Sequence, residues 1–82
     1  MTRANYILEA KKEDIYDDIR EGYLDSAKER LTRFNGALIF AWQIEVITYK
    51  EWNTYQDWAH QTYEEILKLQ RELEREGYKT SL

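Results

Sequence analysis

The sequence predicts an all-α fold, a three-helix architecture built on a long antiparallel helical hairpin. Three observations carry that expectation. The 82 residues include no proline and only three glycines, Gly22, Gly36 and Gly77, so the usual interrupters of helices are scarce. Apolar residues recur at alternating spacings of three and four over most of the chain, which is the period of one helix face. A single strong start signal, "ITYKEW" at Ile47 to Trp52, divides the long periodic tract in two. The length fits one domain spanning 1–82.

The first helix is expected over about 5–20. Leu8, Lys12, Ile15, Ile19 and Gly22 follow a 4-3-4-3 spacing, with Ile15 and Ile19 anchoring the apolar stripe. Asp14, Asp17, Asp18 and Glu21 lie away from it. Gly22 ends the segment, because glycine enters the left-handed conformation without steric cost.

The second helix is expected over about 25–46. Asp25 or Ser26 offers a short side-chain oxygen to the free N–H groups of its first turn. Leu24, Ala27, Leu31, Phe34, Leu38 and Ala41 form a seam at 3-4-3-4-3. Asn35-Gly36 is a hairpin signal, and the β-prone run after it makes a strand the competing reading. A lone strand would leave its ladder unpaired, and the seam passes Gly36 in phase, so helix is favoured. Gly36 then reads as a kink or a point of close approach.

The third helix is expected over about 49–76. Thr48 and Glu51 have the spacing of a capping box, and Ile47 and Trp52 that of a hydrophobic staple. Trp52, Tyr55, Ala59, Thr62, Ile66, Leu69 and Leu73 continue the seam. Gly77 is the expected stop, with 78–82 a short flexible tail. The short connection at Thr48 makes the second and third helices antiparallel neighbours.

Composition excludes several classes. There is no cysteine, so disulfides and thiolate metal sites are ruled out, and a reducing cytoplasm is the expected location. The N-terminal stretch has no sustained apolar core of signal-peptide type. "GALIFAWQI" is far short of the roughly 20 residues that span a bilayer, so no membrane association is expected. The net charge of -4 is spread without a strongly basic segment. Nucleic acid is therefore a secondary reading, resting on Lys28, Arg30 and Arg33 beside Glu29. Asp57, His60 and Glu64 fall near one helix face and supply at best half of a carboxylate–histidine metal site, to be completed across a dimer. Without that pairing no metal, cofactor or catalytic constellation is expected, and the chain does not read as an enzyme. The acidic set along the first helix reads as a solvated face.

The anomaly is aromatic content, with two Phe, seven Tyr and three Trp. Tyr and Trp combine apolar area with a polar tip and favour interfaces. The stretch from Gly36 to Ile47 is apolar nearly all round, and two flanking helices cannot cover it all. The expected contact surface is Ile39, Phe40, Trp42, Ile44 and Val46, joined by Trp58 and Tyr63 beside the third seam. The expected partner is a second copy of the chain, most simply a homodimer, or another protein. The C-terminal "KTSL" has the form of a PDZ-domain ligand.

"RLTRFNGALIFAWQIEVITYKEW", Arg30 to Trp52, resembles a pattern in small helical proteins of bacteriophages and prophages. There an apolar helix ends in an Ile-Thr corner before an acid-rich helix start. The resemblance covers about a third of the chain and implies an accessory protein that binds or modulates a host or phage protein. This chain departs from the pattern where Glu45-Val46 stands in place of a common glycine.

Overall fold

The computed structural model describes the backbone of residues 2–80 and the side chains of 2–76. It contains three helices, α1 (Arg3–Arg20), α2 (Leu24–Gln43) and α3 (Tyr49–Thr80). No strand occurs among the described residues, so the strand reading after Gly36 is set aside. Contacts order the helices: Asn5, Glu9 and Tyr16 of α1 meet Glu51, Tyr55 and Trp58 of α3 in the same sequence direction. Asp25 of α2 meets Gln70, and Phe34 meets Tyr55, in the opposite direction. α2 therefore runs back between two helices that point the same way.

The three seams bury one another. Leu8 and Ile15 of α1 join Leu24, Ala27, Leu31, Phe34, Leu38 and Ala41 of α2, and Tyr55, Ala59 and Ile66 of α3. Phe34, Ile15, Leu38 and Ile66 are the largest fully buried side chains. Each such side chain contributes about 1.5–3 kcal/mol of burial. The 32-residue α3 outruns its neighbours and gives the molecule its 54 Å long axis against 18 and 16 Å across. Leu73, near its far end, is 53% exposed.

Several boundaries differ from expectation. α1 begins two residues early because Thr2 caps it, accepting from the Asn5 N–H at 3.2 Å. α2 begins at Leu24, and neither Asp25 nor Ser26 caps it; Tyr23 holds that place without a side-chain hydrogen bond. Ser26 instead donates to Asp18 at 2.7 Å, and the Arg30 Nε donates to the same oxygen at 2.8 Å. Asp18 thus does not lie away from the packing surface but ties α1 to α2. α3 passes Gly77 and reaches Thr80, so the stop at Glu76 is not kept and residues 78–80 of the expected tail are helical. Ser81 and Leu82, half of the "KTSL" ligand reading, lie outside the described residues.

The largest correction is at the end of α2, which stops at Gln43 rather than 46. Ile44 and Val46 are therefore in a turn. Its closure is a two-bond motif: Val46 N–H donates to Ala41 O at 3.1 Å, and Glu45 N–H to Trp42 O at 3.1 Å. That motif requires a left-handed residue, and Glu45 supplies it at φ 61°. No Gly or Pro marked the place. Gly36 also differs from expectation: it does not break α2, and a Cβ there would meet nothing within 4 Å beyond its own helix backbone.

Candidate apolar docking surface

The corner between α2 and α3 is built as "ITYKEW" implies. The Glu51 N–H donates to the Thr48 hydroxyl at 3.1 Å, and the Thr48 N–H donates to the Glu51 carboxylate at 2.8 Å. The other oxygen of Glu51 accepts from the Asn5 side-chain amide, so α1 is pinned to the same cap. These donors hold the Glu51 carboxyl below its usual range, the Thr48 N–H contributing most. Ile47 is buried behind the cap and Trp52 is packed against the core.

Around this corner lies an aromatic cluster with an apolar fringe. Trp42 stacks on Trp52 at 5.4 Å between ring centres, and Tyr49 touches both at 5.7 and 5.9 Å. The Trp52 indole N–H is buried without a hydrogen-bond partner. Trp42 itself is 38% exposed, and beyond these rings Ile39 is 50% exposed, Phe40 61%, Ile44 50% and Val46 42%. Tyr49, exposed at 60%, belongs to this surface, although the expected contact set leaves it out. The sign available was its place in the first turn of α3, three residues before Trp52 on the same side of the helix.

Ile39 and Tyr63 also come together. They border a groove of about 600 Å³ between α2 and α3, with Leu38 and Ala59 beneath and Asn35 and Gln56 along it. The groove lies on the side of the α2–α3 pair that α1 leaves open.

Trp58 belongs elsewhere. It faces α1, where its indole N–H donates to the Tyr16 hydroxyl at 2.6 Å and its ring meets Tyr16 and Phe34 edge-on. The Lys12 ammonium sits 5.0 Å from the centre of the Trp58 ring and 5.7 Å from that of Tyr55, a cation–π contact. Tyr55 donates to Glu9 at 3.2 Å. Burial and then the Glu9 charge push its hydroxyl up to about 12. Trp58 is thus part of the seal between α1 and α3 and is removed from the expected contact surface. Heptad position alone could not tell which flank of α3 the first helix would cover.

Arg30 and Arg33 are paired within the chain. Arg30 reaches Asp18 and, at 3.8 Å, Asp14, while Arg33 pairs with Glu29 at 2.8 Å. Lys28 lies beside Asp25 in a shallow depression that Leu24, Gln70 and Glu74 also border. The three cations thus form no free basic patch. His60 pairs with Glu64 at 3.3 Å, both highly exposed, but Asp57 does not complete the set. Among the described residues no group of three or more His, Cys, Asp or Glu side chains is placed to hold a metal ion. No helix among them is long and apolar enough to cross a membrane.

Compared with protein-family models, with curated proteins and with solved structures, the chain gives no match.

Proposed function

We propose that this chain is a small helical interaction module that associates with itself and, through the same end of the molecule, binds or modulates a partner protein, as the phage-protein resemblance implies. The observation that supports this reading is the apolar fringe of the α2–α3 corner. Ile39, Phe40, Ile44 and Val46 are large, at least 42% exposed, and gathered within the last turns of α2 and its closing turn. Isolated exposed apolar residues are ordinary, but a gathered patch rimmed by polar groups marks a contact site. The aromatic floor of Trp42, Trp52 and Tyr49 suits this role, since rigid rings lose little conformational freedom on binding.

Sedimentation velocity over a concentration series tests the reading. A rising sedimentation coefficient from low to high micromolar concentration is expected. A monomer throughout removes self-association, and the double change Ile44→Ser with Val46→Ser leaving that rise untouched would move the contact away from this corner.

A further inference from the structure

We propose that two copies of the chain exchange halves: the turn between α2 and α3 opens, the two helices join into one, and each copy packs its α2 against the α3 of the other. The proposal rests on the self-association read above and specifies its geometry. The observation that carries it is the phase of the seam. In α2 the seam ends at Leu38 and Ala41, and in α3 it begins at Trp52 and Tyr55. Glu45 and Thr48 stand between them at further intervals of four, three and four, so the alternation of three and four crosses the turn without a slip. A hairpin makes no such demand, because each of its helices finds its own rotation. The other corner lacks this continuity: from Ile15 and Ile19 the alternation would fall on Gly22, and the seam of α2 starts instead at Leu24.

The turn itself is competent to be helix and is under strain. Ile44, Glu45, Val46, Ile47 and Thr48 include no glycine or proline. Glu45 is held at φ 61°, a conformation that disfavours residues with a Cβ. Made helical, this stretch would join α2 and α3 into a single helix from Leu24 to Thr80, on the order of 85 Å long at about 1.5 Å per residue. Opening gives up the two bonds that close the turn, the Thr48–Glu51 box and the place of Ile47 behind it. In return the left-handed residue is gone and the helical ladder of hydrogen bonds runs through. Short hinges under strain invite such exchange.

The occupant is a second copy, because it alone remakes the contacts between α2 and α3. Asp25–Gln70, Phe34–Tyr55 and Trp42–Trp52 join the same surfaces whether the two helices belong to one chain or to two. The midpoint of each pair in sequence falls within Ile44–Thr48, so the two-fold axis of the exchanged dimer passes through the hinge. There Glu45 of each copy stands against Thr48 of the other, a carboxylate beside a hydroxyl. The two halves adjoin at the end of the molecule that carries the exposed Ile44 and Val46, and these residues of both copies lie at the junction.

The chain has no native cysteine, so the paired change Asp25→Cys with Gln70→Cys, at side chains 3.0 Å apart, reports which copy each α3 belongs to. Dimer formed by refolding from urea at high protein concentration is isolated, linked with a short bismaleimide and run on a denaturing gel. Exchange predicts a band of two chains, where the dilute monomer gives a band of one. Glu45→Gly relieves the closed turn and weakens the opened helix, so it should weaken the dimer about tenfold. The same variant, when dilute, should unfold at higher urea than wild type, and damage to the fold cannot produce both effects. Dimers whose links stay within single chains, or a dimer constant unchanged in Glu45→Gly, overturn the exchange and leave self-association through the apolar fringe standing. A wild-type chain that stays monomeric at high concentration removes both.

Discussion

The corner at Gly22 and the corner at Glu45 close with the same pair of hydrogen bonds and sit in opposite surroundings. At the first, Tyr23 N–H donates to Asp18 O at 2.8 Å and Gly22 N–H to Ile19 O at 3.1 Å. The left-handed position is a glycine at φ 81°, and the nearby Asp18 carboxylate is satisfied by Ser26 and Arg30. At the second, the left-handed residue carries a side chain, and the neighbours are exposed Ile44 and Val46. The first corner also leaves a large side chain uncovered, Tyr23 at 59%, but its left-handed position is a glycine and carries no strain. The second combines a strained backbone residue with uncovered apolar surface, and such combinations gather where proteins make contacts.

The difference is sharpest under substitution. Gly22→Val should be the most damaging change at either corner. A β-branched residue at that φ costs about 1–2 kcal/mol or more, read as a fall in the urea midpoint with the slope unchanged. Since a Cβ at Gly22 would meet nothing within 4 Å, the loss is attributable to backbone conformation. A midpoint shifted by less than the error of the fit would mean that α1 and α2 are held by Asp18 and the core without help from the turn.

How far each corner was legible follows from where its bonds lie. The Thr48–Glu51 box joins residues three apart, so its pattern is present in the sequence and its geometry appears as expected. The α2 seam was legible for the same reason: period alone places Leu31, Phe34 and Leu38 inward. The end of α2 was not, because Glu45 adopts a conformation that its residue type does not announce. Trp58 and Asp18 were misplaced for another reason. Their surroundings are set by how α1 lies across the other two helices, through Tyr16 and through Ser26 with Arg30, and those pairs are separated by up to 42 positions. Ile39, Phe40, Trp42, Ile44, Val46 and Tyr63 are exposed, in part for a reason other than the one expected. Ile44 and Val46 are exposed because the helix has ended before them, not because an all-apolar helix lacks neighbours.

Glu45→Gly makes the second corner like the first, and its effect should have the opposite sign to Gly22→Val. Removing the Cβ relieves the left-handed residue, while the freer unfolded chain offsets part of the gain. A net stabilisation of about 0.5–1 kcal/mol is expected, read as a raised urea midpoint at low protein concentration. A lowered midpoint would mean that the Glu45 side chain makes up for its backbone strain.

The smallest expected effect separates the corners by pH. The carboxyl of Glu51 is held below its usual range by the Thr48 N–H first and then by the Asn5 amide. A carboxyl with a lowered folded pKa stabilises the fold above its unfolded pKa, and that contribution is lost as pH falls through the folded value. The first corner has no counterpart, since Tyr23 caps α2 without any side-chain hydrogen bond. Glu51→Gln keeps an acceptor at the capping position and removes the charge. Urea midpoints measured from neutral pH down to about pH 3 should therefore show the variant less stable than wild type at neutral pH. The two should converge in acid as wild-type Glu51 takes up its proton. A gap of constant size across the range would assign the stability of this corner to the hydroxyl of Thr48 and the burial of Ile47, with no part for the ionised carboxylate.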